Sequence, residues 1–133
     1  MRAVLLLAVA GVAVVTACGA SSATRPLPIQ LGFEGGNLAG YTVSIKASGK
    51  VTIVRGTRAV RRRVAVRRVR RLGREIQRAH LARVRLCAGA LPDFATQYIR
   101  LGTRMFRLHG TCEPRFERVW NDLLRAVGGL PAH

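Results

Sequence analysis

The chain has 133 residues and a formal net charge of +17, from 23 lysines and arginines against six acids. This length suits one domain, and a hydrophobic content of 49 % excludes a chain that is mainly a disordered tail. Charge alone would draw such a protein to nucleic acid, anionic lipid or an acidic polymer. A GC-rich coding bias is the alternative explanation, because only Lys46 and Lys50 are lysines.

The first seventeen residues have the pattern of a secretion signal. One early charge, Arg2, precedes an apolar run over residues 3–17. As a helix this run would measure about 22 Å, short of the ~30 Å hydrocarbon core of a bilayer. The sequence therefore predicts a signal peptide over residues 1–17 rather than a permanent membrane span.

The end of the apolar run, Val15-Thr16-Ala17-Cys18, resembles the lipobox of bacterial lipoproteins. The resemblance implies that the signal is removed before Cys18 and that the thiol receives a palmitate-type diacylglyceryl anchor. The protein would then sit on the extracytoplasmic face of the cell membrane, with residues 18–28 as the lipidated tether and residues 29–133 as a small domain. An ordinary signal peptide cut nearby, giving a secreted protein, is the alternative.

The first part of the domain has the alternating pattern of strands. Residues 29–33 can form one strand, and in residues 41–46 Tyr41, Val43 and Ile45 share one face. Residues 47–50 then predict a hairpin turn, and residues 51–55 predict the returning strand. This part is expected to contribute three strands.

A helical pattern follows the arginine-rich run. Apolar residues recur every three or four positions from Val66 through Ile76 to Ala79, which predicts an amphipathic helix. Ala65 cannot cap it, and clustered positive charges near its amino end are unfavourable. We therefore expect the helix to depend on tertiary packing or on a negative partner. The predicted basic surface comprises Arg61, Arg62, Arg63, Arg67, Arg68, Arg70, Arg71, Arg74 and Arg78.

The second half predicts a hairpin and a second helix. Residues 97–101 and 104–108 read as two strands around Gly102-Thr103, and Pro114 introduces a helix whose apolar stripe runs from Phe116 to Val127. The order βββ-α-ββ-α predicts an α+β domain, with an antiparallel sheet of about five strands and two helices on one face.

The remaining cysteines, Cys87 and Cys112, form an even pair in a chain expected to be exported, so we predict a disulfide. Metal binding with His109 is the alternative, although a fourth ligand is lacking. No metal or other cofactor is predicted.

The acids do not form a catalytic constellation. Glu113 and Glu117 are four residues apart, but Arg115 and Arg118 lie beside them, which suggests surface ion pairs. We predict a protein that is not an enzyme and has no catalytic residues. Export and the absence of aromatics within the basic run argue against physiological nucleic-acid binding.

The glycine-rich segment at residues 33–40 resembles emfourin-type domains, small inhibitors of thermolysin-like metallopeptidases. Gly35, Gly36, Ala39 and Gly40 match the Gly-Gly-Phe-Ala-Gly element of that family, while Asn37 and Leu38 replace its single aromatic residue. The resemblance implies a candidate inhibitory loop, and a tight bulge between strands is the alternative. The candidate loop comprises Gly35, Gly36, Asn37, Leu38, Ala39 and Gly40.

Three functional hypotheses follow from the sequence. The first is a lipid-anchored, non-enzymatic envelope protein with a basic surface for anionic lipid or wall polymer. The second is an inhibitor of a secreted metallopeptidase. The third is a structural lipoprotein whose arginines reflect codon bias.

Overall fold

One mixed sheet of seven strands and two helices make up the part of the chain that the computed structural model describes, residues 24–36 and 40–130. The predicted signal peptide, Cys18 and the first part of the tether lie outside these residues. The elements in chain order are β1 (Ile29–Glu34), β2 (Tyr41–Ile45), β3 (Lys50–Arg55), β4 (Arg58–Arg63), α1 (Val66–Arg78), β5 (Val84–Leu86), β6 (Thr96–Leu101), β7 (Arg104–His109) and α2 (Pro114–Ala126).

The strands lie in the order β4-β3-β2-β1-β6-β7-β5. All neighbours are antiparallel except β5, which runs parallel to β7. The α+β class, both helices and the five predicted strands are confirmed. The first strand, β1, lies at the centre and brings the two predicted hairpins together.

The count of five strands and the purely antiparallel arrangement are wrong, because two strands carry no recognisable sequence pattern. In β4, four of the six residues are arginine, so apolar alternation is missing; pairing with β3 makes it a strand. β5 has only three residues, all exposed. It follows α1 and enters the sheet beside β7 in parallel, a placement that depends on where the helix ends.

The hydrophobic core lies between one face of the sheet and both helices. Leu31 pairs with Val43 on one side and with Ile99 on the other, and Val43 pairs with Ile53, so these four side chains line up across four strands. Burial of the helices follows their predicted stripes except at Val66, the first residue of α1, which is 39 % exposed. The helix residues in the core are Val69, Leu72 and Ile76 of α1 and Phe116, Val119, Trp120 and Leu123 of α2.

The turn between β2 and β3 positions the start of α1. Gly49 has a φ of 82°, and a Cβ there would lie 2.0 Å from the carbonyl oxygen of Val64. The Val64 amide donates to the Gly49 carbonyl at 2.8 Å. Only glycine fits at this turn, because the chain between β4 and α1 passes directly against it.

The predicted disulfide is present. Cys87 and Cys112 are bonded, with Cα atoms 5.5 Å apart, and they join the loop after β5 to the segment before α2. Within the described ranges no three His, Cys, Asp or Glu side chains are arranged to hold a metal ion. The same ranges contain no helix with the length and apolar character needed to cross a bilayer.

Candidate functional site: an arginine face on the first helix

The arginines between residues 61 and 78 lie in three different environments. Arg61 and Arg63 pair with Thr52 and Lys50, on the face of β4 that points away from the helices. Arg62 pairs with the buried Val51 and therefore lies on the core side. The later arginines belong to α1. The run is thus not one continuous surface.

Arg62 closes the carboxyl end of α2. It is half-buried, and its Nη1 donates to the carbonyl oxygens of Val127 and Gly129, each at 2.7 Å. The last carbonyls of a helix have no partner within the helix, and a cation there also suits the helix dipole. Arg62 therefore acts as a capping residue, and it is not part of an open basic surface.

Four arginines form a stripe along the exposed side of α1. Arg67, Arg71, Arg74 and Arg78 are spaced by four, three and four residues, and all four are exposed. This spacing keeps them on one side of the helix, over about 16 Å of its length. We call these four residues the arginine face. Arg68 and Arg70 lie on its two flanks.

Two acids lie near the arginine face, and one of them, Asp122 of α2, already pairs with Arg125. The single acid within α1 is Glu75, whose Oε1 lies 3.6 Å from Nε of Arg71, and the two side chains are 41 % and 58 % exposed. Such an exposed pair contributes about 0–1 kcal/mol. The arginine face therefore keeps most of its positive charge available to a partner.

The amino end of α1 adds to the positive charge. Ala65 makes no side-chain cap, and the first turn contains no acid. At this end of the helix, Arg67, Arg68 and Arg71 line a groove of about 570 Å³. Because the helix dipole is positive at this end, anions are favoured here.

The described chain begins beside the same helix. Residues 24–27 line one side of a groove of about 450 Å³, and Arg70, Gly73, Arg74 and Gln77 of α1 line the other. The segment that leads toward Cys18 thus starts next to the arginine face.

The candidate inhibitory loop is described only at its ends. Gly35, Gly36 and Gly40 are exposed, while Asn37, Leu38 and Ala39 lie outside the described residues. Gly36 has a φ of 76°, and a Cβ there would lie 2.7 Å from the amide nitrogen of Ala95. Packing alone therefore requires glycine at this position, and inhibition stays a prediction.

The expected ion pairs of Glu113 and Glu117 with neighbouring arginines are not formed. Glu113 accepts a hydrogen bond from the backbone amide of Arg115 at 3.3 Å and caps α2. Oε1 of Glu117 is buried without a hydrogen-bond partner. The described ion pairs are Arg71–Glu75, Arg107–Glu34 and Arg125–Asp122.

Comparisons with protein-family models, curated proteins and solved structures gave no match. The resemblances to lipoproteins and to emfourin-type domains therefore rest on the sequence motifs alone.

Proposed function

We propose that the protein is a lipid-anchored, non-enzymatic protein of the cell envelope, whose arginine face lies against the anionic headgroups of the membrane that holds it. The observation that carries this proposal is the position of the arginine face beside the start of the domain. Anionic wall polymers offer the same phosphate or carboxylate chemistry and are the second source of ligand.

The reach of the tether supports this orientation. Cys18 and Thr24 are separated by six residue steps, and an extended chain covers at most about 21 Å over that distance. An acyl chain on Cys18 would therefore keep Thr24 within about 21 Å of the headgroups. Because Thr24 lines a groove with Arg70 and Arg74 of α1, the tether would keep this helix within reach of the headgroups.

The free energy expected from the arginine face is large enough to add to the effect of the lipid anchor. An arginine near an anionic surface contributes about 1 kcal/mol, so the four residues of the arginine face together contribute about 4 kcal/mol. The acyl chains hold the domain at high local concentration, so this contribution orients the domain rather than recruits it. The clustered charges of α1, unfavourable in isolation, are then neutralised by the headgroups.

Vesicle co-sedimentation of the purified protein with Cys18→Ser, which removes the acyl site, tests the charge contribution by itself. We expect binding to vesicles that contain anionic lipid, loss of binding as salt rises from about 0.1 M to about 1 M, and little binding to neutral vesicles. Replacing the arginine face by Arg67→Gln, Arg71→Gln, Arg74→Gln and Arg78→Gln should reduce affinity by about three orders of magnitude.

A matched control removes the same charge elsewhere. Arg83, Arg85, Arg100 and Arg104 are all exposed and lie outside α1, so changing all four to Gln lowers net charge equally. This control should bind nearly as well as the parent. Equal losses in both quadruple variants would mean that overall charge, not the arginine face, drives binding and would refute the proposal. Preferential binding of a soluble anionic polymer over anionic vesicles would assign the face to the wall instead.

A further inference from the structure

A cleft on the helix side of the sheet has a chemistry opposite to that of the arginine face. It has a volume of about 490 Å³ and lies between the amino-terminal part of α2, the start of β6 and the loop that carries the disulfide. Its lining is mainly apolar, including Phe33, Phe94, Ala90 and the Cys87–Cys112 bridge. We call it the disulfide cleft. Its size is typical of a small-ligand site.

Two side chains that line the disulfide cleft carry buried acceptors without partners. Oε1 of Gln97 and Oε1 of Glu117 are both buried, and neither accepts a hydrogen bond from any described group. Buried polar atoms are nearly always paired, so an orphaned acceptor at a cavity wall needs an explanation. Both orphans are acceptors, which means that the missing partner must donate.

Glu117 favours a partner that carries a positive charge. Burial raises the pKa of this carboxyl above its ordinary value of 4.5, because no cation compensates the loss of water. The nearby Arg115 and Arg118 do not compensate this charge. Both line a different groove between α1 and α2, which Asp122 also lines. In a chain with 21 arginines, the disulfide cleft still presents an uncompensated carboxyl.

We propose that the disulfide cleft binds a protonated primary amine carried on a short apolar chain. An ammonium group has three donors and no acceptor, so it offers the kind of partner that each of these two acceptors lacks. Its aliphatic chain would lie against Phe33, Phe94 and the disulfide. Phe94 is 54 % exposed, so it stands at the mouth of the cleft, where an incoming apolar chain would cover it. This site is separate from the arginine face and does not depend on the proposed function.

Titration of the isotope-labelled protein with n-butylammonium, followed by NMR, tests the proposal directly. We expect saturable shifts of the Gln97 side-chain amide and of backbone amides in residues 88–97, with a dissociation constant on the order of millimolar for so small a ligand. Butan-1-ol and pentanoate keep the four-carbon apolar chain but replace the ammonium. Neither should give saturable shifts at the same concentrations.

Two matched variants test which carboxylate is needed for binding of n-butylammonium. Glu117→Gln keeps the shape of the side chain and should weaken n-butylammonium binding by about tenfold or more. Glu75→Gln removes an equal charge from the exposed surface of α1 and should leave the affinity unchanged. A dispersed NMR spectrum confirms that each variant is folded. The proposal is overturned if n-butylammonium gives no saturable shifts, if butan-1-ol binds equally well, or if both variants retain the parent affinity.

Discussion

Nη1 of Arg62 donates to the carbonyl oxygen of Val127 at 2.7 Å, across 65 positions of the chain. The same atom reaches Gly129, and a Cβ at Gly128 would lie 3.1 Å from it. The edge strand β4 and the end of α2 are therefore held together by one guanidinium. An arginine from the most basic part of the sequence thus has a structural role, which separates it from its neighbours on either side.

Arg62→Ala should destabilise the protein by about 1.5–3 kcal/mol, because it removes two charge-assisted hydrogen bonds and leaves the carbonyls at the end of α2 without their donor. Denaturant unfolding of the purified protein measures the difference. Arg61→Ala, an exposed neighbour on the opposite face of β4, is the control and should change stability by less than about 0.5 kcal/mol. Equal effects of the two substitutions would mean that the contact with α2 contributes nothing.

Substitution by alanine should change the stability of the protein in opposite directions at two glycines. A Cβ at Gly32 would lie 2.6 Å from the carbonyl oxygen of Tyr41 and 3.0 Å from Oη of Tyr98, so Gly32→Ala should cost about 1–3 kcal/mol. A Cβ at Gly73, inside α1, meets only Cδ1 of Leu101 at 3.7 Å. Gly73→Ala should therefore stabilise by about 0.5–1 kcal/mol through helix propensity. Thermal unfolding of both variants tests the signs, and a lower midpoint for Gly73→Ala would contradict the packing described for α1.

Loss of the disulfide should remove about 3–4 kcal/mol of stability. The bonded cysteines are separated by 25 positions, and opening a loop of this size restores conformational freedom to the unfolded chain. The double variant Cys87→Ser, Cys112→Ser should therefore unfold at a markedly lower denaturant concentration than the parent. Reductant should lower the midpoint of the parent and leave the double variant unaffected. An unchanged midpoint in the double variant would show that the bridge does not stabilise the fold.

Glu117→Gln should stabilise the protein near pH 7 and have progressively less effect at acidic pH. The pKa of Glu117 is raised by burial above 4.5, so the native state binds this proton more tightly than the unfolded state does. Its contribution to stability is complete below about pH 4.5 and is lost as pH rises through the native pKa. Because glutamine cannot ionise, the variant does not lose this stability as pH rises.

Denaturant midpoints measured between pH 3 and pH 8 would reveal this dependence. The difference in denaturant midpoint between the Glu117→Gln variant and the parent should increase as pH rises above about 4.5. Glu75→Gln, which removes an equal charge from a surface pair with Arg71, is the control for the loss of charge alone. A difference that stays constant across the whole pH range would mean that the charge on Glu117 is not the cause.

Periodicity of the sequence was sufficient to predict the elements with one buried side. The alternation of Tyr41, Val43 and Ile45 and the stripes of α1 and α2 depend only on which side chains face the core, and that information is local. The cysteine pair was also predictable, because an even pair in a chain expected to be exported favours a bridge. These features place most of the core and the α+β class without knowledge of any long-range contact.

The tertiary structure decided the features that depend on partners distant along the chain. β4 has no apolar period and is a strand because β3 offers it a paired edge, while β5 is added by the path of the chain after α1. The cap formed by Arg62 needs carbonyls 65 and 67 positions away, and Gln97 and Glu117, which carry the orphaned acceptors, line one cleft. A sequence determines the period of each segment, but polar partners are chosen by the register and packing of the whole fold. The division of the arginines into a cap, an open sheet face and a helix face follows from that packing.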